Sequence, residues 1–304
     1  MLRFALRPTA VMVFQQKMKG CVQKEVKERS IENLSKKYAG DGMSQSARER
    51  IKRTVANWSV GVLASQRIWQ KNQGCKRRYF IMITLTLPSK QIESDEEVKR
   101  KYLNNWLQKL CRFQPDIHYL WVAETQANGN IHFHVVADKW VDFRWVQSSW
   151  NATLENGQYI DLFATKFGHR NPPTTKVTGQ KNMKDPALYI TKYISKEEGR
   201  RNVEGHCWYC CDKLKELERV AWAYGYEVED EIVRNFATEL KSVYYGEKST
   251  AYYFNEPIAA NSLLDKLFWR FDFMFCDRYG GLFPELVGAA AEDLPLEEWE
   301  ETEK

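Results

Sequence analysis

The stretch IHYLWVAETQANGNIHFHVVAD, residues 117–138, sets two runs of β-branched and aromatic residues around a polar centre containing Asn128-Gly129. Such a pattern reads as two antiparallel strands joined by a tight hairpin. Side chains alternate along a strand, so His132 and His134 share one face and Phe133 turns to the other, toward a core. The hairpin loop decides what stands opposite the histidines. With a two-residue loop, Asn128-Gly129, Glu124 faces Phe133 and points away from the imidazoles. With a three-residue loop, Ala127-Asn128-Gly129, Glu124 pairs with His132 and Val122 with His134, and Gly129 takes the left-handed position. In that second register two imidazoles and a carboxylate converge, a donor set for a divalent cation. Oxygen ligands suit Mg²⁺ or Mn²⁺, and imidazoles favour Mn²⁺. The plainer alternative is a pair of polar histidines on an exposed sheet face.

Working outward, YFIMITLTLP (79–88) reads as a further strand ended by Pro88. Ile81, Ile83, Leu85 and Leu87 fall on one face, and Met82, Thr84 and Thr86 on the other. Ser94 with Glu97 forms a capping-box signature before an amphipathic stripe of Val98, Tyr102, Trp106 and Leu110, widened by Leu103 and Leu107. Asp142 opens a short helix carrying Trp145 and Trp150. GQYIDLF (157–163) reads as a fourth strand and residues 164–184 as a loop. Asp185-Pro186 is a helix start, and that helix is expected to run to about Gly199. Residues 1–45 read as helical and basic, with a break at Gly40-Asp41-Gly42, and Ser44 or Ser46 caps a second helix. The expected class is α+β: a central antiparallel sheet with helices packed on it, plus helical N- and C-terminal extensions. The expected regions are 1–77, basic and helical; 78–200, the sheet domain; and 201–304, mostly helical with an acidic tail.

The chain has 304 residues, of which 43% are hydrophobic and 28% charged, so it can build a core and is not disordered throughout. Charge is uneven: residues 1–78 hold 18 Lys or Arg against 5 Asp or Glu, residues 164–201 hold 9 against 3, and residues 292–304 hold 1 against 7. Basic regions of this kind suit a polyanion. No apolar run approaches the roughly 18 residues that cross a bilayer, and no signal peptide is read. Seven cysteines argue for a reducing compartment. Cys207-x-x-Cys210, beside His206 and Cys211, could begin a zinc site, but no second pair completes it, and ordinary burial is expected.

YITKYISK (189–196) places Tyr189 and Tyr193 one helical turn apart, with Lys192 and Lys196 at the same spacing on a neighbouring face. An amphipathic helix with solvated lysines would look the same. A tyrosine near pKa 10 is a poor nucleophile unless neighbouring cations assist it.

Together, ITLTLP (83–88), Glu124 with GNIHFH (129–134), and YITKYISK resemble the three motifs of HUH endonucleases that initiate rolling-circle replication. The paired tyrosines are similar to the gene A replication proteins of small icosahedral single-stranded-DNA phages. A Glu eight residues ahead of the first histidine matches the family's usual third-ligand position. Histidines before tyrosines is the order of replication initiators; relaxases usually reverse it. The resemblance covers about residues 79–200. It implies a site-specific endonuclease and ligase that nicks and joins single-stranded DNA at a replication origin through a 5′-phosphotyrosine. Tyr189 and Tyr193 would be the nucleophiles, assisted by Lys192 and Lys196. Mg²⁺ or Mn²⁺ would be held by His132, His134 and Glu124. Lys166, Arg170, Lys176, Lys181 and Lys184 would contact DNA phosphates. Host helicase and DNA polymerase are further expected partners, with no membrane, in a bacterial host cytoplasm. The alternatives are a two-tyrosine transposase of the same superfamily, or a non-catalytic module binding single-stranded nucleic acid. Binding alone does not call for two tyrosines at helical spacing beside His-x-His.

Overall fold

The computed structural model describes residues 2–7, 10–15, 43–71, 78–179, 202–218, 222–224, 240–246 and 249–255. The described strands are β1 Leu2–Arg7, β2 Ala10–Gln15, β3 Ile81–Leu85, β4 Tyr119–Thr125, β5 Ile131–Ala137, β6 Thr175–Gly179, β7 Trp208–Cys210, β8 Trp222–Tyr224, β9 Leu240–Tyr245 and β10 Ser249–Phe254. The described helices begin with α1, Gln45–Lys71. Helix α2 starts at Asp95–Val98, passes through a π-helical stretch at Lys99–Leu103 and continues as Asn104–Phe113. Next come α3 Phe143–Leu154, α4 Tyr159–Phe167 and α5 Asp212–Glu218. The class is α+β, as the sequence predicts. No described helix is long and apolar enough to cross a membrane.

The chain divides into two compact units, one of Gln15–Ala56 and Tyr79–Asp212, the other of Met1–Phe14, Asn57–Arg78 and Lys213–Lys304. The first holds an antiparallel sheet in the order β6-β3-β5-β4-β7. One face of it is a core. Ile81, Ile83, Leu85, Trp121, Ala123, Phe133 and Val135 pack there against Trp106, Leu110, Trp150, Tyr159 and Ile160 of the helices. Phe133 is fully buried and meets Trp121 and Trp150 edge-on. A one-residue slip of β5 would drive two imidazoles into this core, so burial of Phe133 fixes the register. The helices begin where the sequence places caps. Ser94 and Glu97 form the capping box, Asp142 accepts from the amides of Arg144 and Trp145, and Ser44 accepts from that of Ala47.

The segment leading into the edge strand β7 is held by helix α2. The Lys99 ammonium donates to the carbonyl oxygens of Glu204 and His206, and the Glu204 amide donates to Asp95. Gly205 sits between them at φ 67°, where a Cβ would come within 2.5 Å of the Glu96 carboxylate.

The other unit holds a second antiparallel sheet, ordered β8-β1-β2-β10-β9. Ala10, Val11, Val13, Ala251 and Tyr252 are buried in it. The helical character expected of residues 1–45 is therefore wrong for Leu2–Arg7 and Ala10–Gln15, where alternation and β-branched Val11 and Val13 favour strand. The mostly helical reading of 201–304 fails likewise among the described residues, which carry β7 to β10 beside the single short α5. Two corrections fall within the first unit. GQYIDLF is not a strand: Tyr159, Ile160 and Phe163 form one buried helical stripe at i, i+1 and i+4. Residues 164–184 are not all loop either, since 164–167 complete α4 and Thr175–Gly179 pair with β3.

Candidate metal centre

The hairpin adopts the three-residue register. Glu124 stands opposite His132 and Val122 opposite His134. The Gln126 amide donates to the Asn130 carbonyl and the Gly129 amide to that of Gln126, with Gly129 at φ 84°. Gln91 and Asn130 then staple the hairpin to the segment after β3. The Gln91 amide donates to Asn130 Oδ1, and Gln91 Oε1 accepts from the Ile131 amide.

Three donor atoms converge as a result. Glu124 Oε1 lies 2.7 Å from His132 Nε2 and 3.2 Å from His134 Nε2, and the two Nε2 atoms are 2.9 Å apart. The side chains of His132, His134 and Glu124 are 11%, 7% and 10% exposed. Among the described residues this is the one group of three or more acidic, His or Cys side chains able to hold an ion together. Ligands at roughly 2.1 Å and right angles around a metal are separated by about 3.0 Å, so the triad fits three adjacent octahedral positions. A divalent cation suits this buried Glu-His-His group chemically as well as spatially.

A second layer orients it. Thr84 Oγ1 lies 3.2 Å from His134 Nδ1, its opposite number across the β3–β5 ladder. With Nδ1–H donating to that hydroxyl, Nε2 would be the nitrogen left to ligate a bound cation. His132 Nδ1 is buried and has no hydrogen-bond partner among the described residues. Burial alone would raise the Glu124 pKa. Hydrogen bonds from both imidazoles and their charge outweigh that, and hold the carboxyl at about 2.

The structure brings together Glu124, His132 and His134 and adds Thr84, which the sequence reading placed on the correct face but gave no role. Its signal is the outward Thr of the alternating run ITLTL. Lys176 stands on β6 directly opposite Thr84, on the same sheet face as the triad. Lys166 and Arg170 lie elsewhere, at the end of α4, whose Tyr159 and Ile160 enter the core on the opposite face. Arg170 is engaged by Asp161 at 2.5 Å and Glu155 at 3.8 Å. Tyr189, Tyr193, Lys192, Lys196, Lys181 and Lys184 lie outside the described residues. Cys207, Cys210 and Cys211 are not joined in disulfides.

Residues 80–198 match a family model described as replication-associated protein ORF2. That stretch takes in β3 to β6 and the triad, and the similarity supports a role in initiating DNA replication. No curated protein and no solved structure matches the chain.

Proposed function

We propose that this chain initiates rolling-circle DNA replication by nicking and rejoining single-stranded DNA at an origin. The observation that carries the reading is the convergence of Glu124, His132 and His134 inside the stretch similar to replication-associated proteins. A divalent cation held there, Mn²⁺ or Mg²⁺, would withdraw charge from the scissile phosphate. Glu124, ionised throughout the physiological range, and the two oriented imidazoles bind and place that charge. Tyr189 or Tyr193 is the nucleophile. Its phenolic oxygen bonds to phosphorus and gives up its proton, while the phosphorus bond to the 3′ oxygen breaks and that oxygen takes up a proton. The products are a 5′-phosphotyrosine and a free 3′-OH for a polymerase. Joining reverses the same exchange. Lys192 and Lys196 offset phenolate charge. Host helicase and polymerase would act downstream, in the cytoplasm of a bacterial host.

The test is incubation with labelled single-stranded origin DNA and Mn²⁺, followed by denaturing electrophoresis. A covalent protein–DNA band is expected from wild type and none from His132→Ala with His134→Ala. A band of equal strength in the double variant would exclude the triad from the chemistry.

A further inference from the structure

The registers of the sheet lay out one continuous row of side chains on the triad face. Lys176 opposes Thr84, Thr84 opposes His134, His134 opposes Val122 and Val122 opposes Trp208. Directly opposed residues share a face, and neighbouring strands lie about 4.8 Å apart. Lys176 and Trp208 therefore flank His134 at about 10 Å on either side. Trp208 is partly exposed, and the exposed Arg50 places its guanidinium 5.7 Å from the Trp208 ring centroid. At that distance the guanidinium charge lies within cation–π reach of the indole. The segment leading into the strand that bears Trp208 is tied down by Lys99 and Asp95.

We infer that Arg50 and Trp208 form a nucleotide subsite for the single-stranded DNA substrate, beside the triad and across it from Lys176. This rests on the function proposed above and extends it to residues beyond the stretch that resembles replication-associated proteins. An unpaired base stacks on the indole or on the guanidinium plane, and the adjoining phosphate takes N–H donors of Arg50. The substrate strand then crosses the sheet perpendicular to its strands, from Lys176 past the triad to Trp208. The contact is tolerant of sequence, because every base offers a π-face.

Binding of a labelled oligothymidylate, followed by fluorescence anisotropy in EDTA over a salt series, isolates this subsite from cleavage. Trp208→Leu is expected to weaken binding about 5- to 150-fold. Arg50→Gln, an exposed change that spares the fold, is expected to weaken binding and reduce the salt slope by about 0.7. Arg112→Gln, the same charge change on the helical layer, should alter neither. Wild-type binding with both subsite variants unchanged would overturn the subsite and leave the replication reading standing. Absence of any single-strand binding by wild type would overturn that reading and the subsite with it.

Discussion

Thr84 Oγ1 sits 3.2 Å from His134 Nδ1, one strand away and directly opposite in the ladder. The hydroxyl braces this imidazole from the side remote from the metal centre. Thr84→Val keeps the β-branched shape but removes the acceptor. It is expected to weaken Mn²⁺ binding about 10- to 100-fold, and Thr84→Ser to restore most of it. Calorimetric titration with Mn²⁺ checks both. Equal affinity for Thr84→Val and wild type would show that the ring needs no such support.

Glu124 gives the metal-free protein a defined acid response. Its carboxyl is held at about 2 in the folded chain, below its ordinary value of 4.5. A depressed folded pKa means that the unfolded state takes up protons first. The stabilisation is thus complete above about 4.5 and is lost as pH falls toward 2. Urea titrations of chelator-treated protein at pH 5 and pH 3 should show wild type losing up to about 2 kcal/mol more than Glu124→Gln. Parallel losses in the two proteins would place the acid sensitivity elsewhere.

Two basic residues expected to contact DNA now separate. Lys176 lies on the triad face, whereas Arg170 is paired with Asp161. Lys176→Ala should reduce the salt slope for single-stranded DNA by about 0.7, and Arg170→Ala should leave it near the wild-type value. The reverse result would move the bound strand to the α4 end.

The two tyrosines of YITKYISK differ in no way that the sequence reveals, and each heads its own Tyr-x-x-Lys unit. Both are expected to serve as nucleophiles. Each single Tyr→Phe protein, at Tyr189 or Tyr193, should retain some covalent adduct, and the double variant none. Peptide mapping of the linked residue would identify the attacker, and an adduct in the double variant would refute the mechanism.

The triad is more legible in the sequence than the fold around it. The sequence leaves open the hairpin loop length and whether the histidines are simply polar surface residues, and Gly129 as the third loop residue suits the left-handed position that the longer loop requires. The wrong readings have a common origin in short windows. Tyr159, Ile160 and Phe163 within seven residues fit a strand until the depth of their burial on one helical stripe is known. Thr175–Gly179 is a short edge strand that follows Pro172 and Pro173, which punctuate a loop. The pairing of β10 with β2 joins segments from opposite ends of the chain, and local propensity carries no information about such a partner. Arg50 and Trp208 are invisible for the same reason, because their proximity arises only when α1 and β7 are folded.

Phe133, locked between the two histidines in sequence and behind them in space, gives the candidate metal centre a scaffold that cannot move without the core. A binding centre carried on loops can open by local motion and must be re-ordered at every loading. Here the backbone that presents His132 and His134 is the same backbone that buries Phe133 among Trp121 and Trp150. The amides of this strand are therefore expected in the slowest class for hydrogen exchange, and the donor atoms need little further ordering to bind a cation. A cation held in such a centre would arrive and leave by its own passage, with the scaffold unchanged.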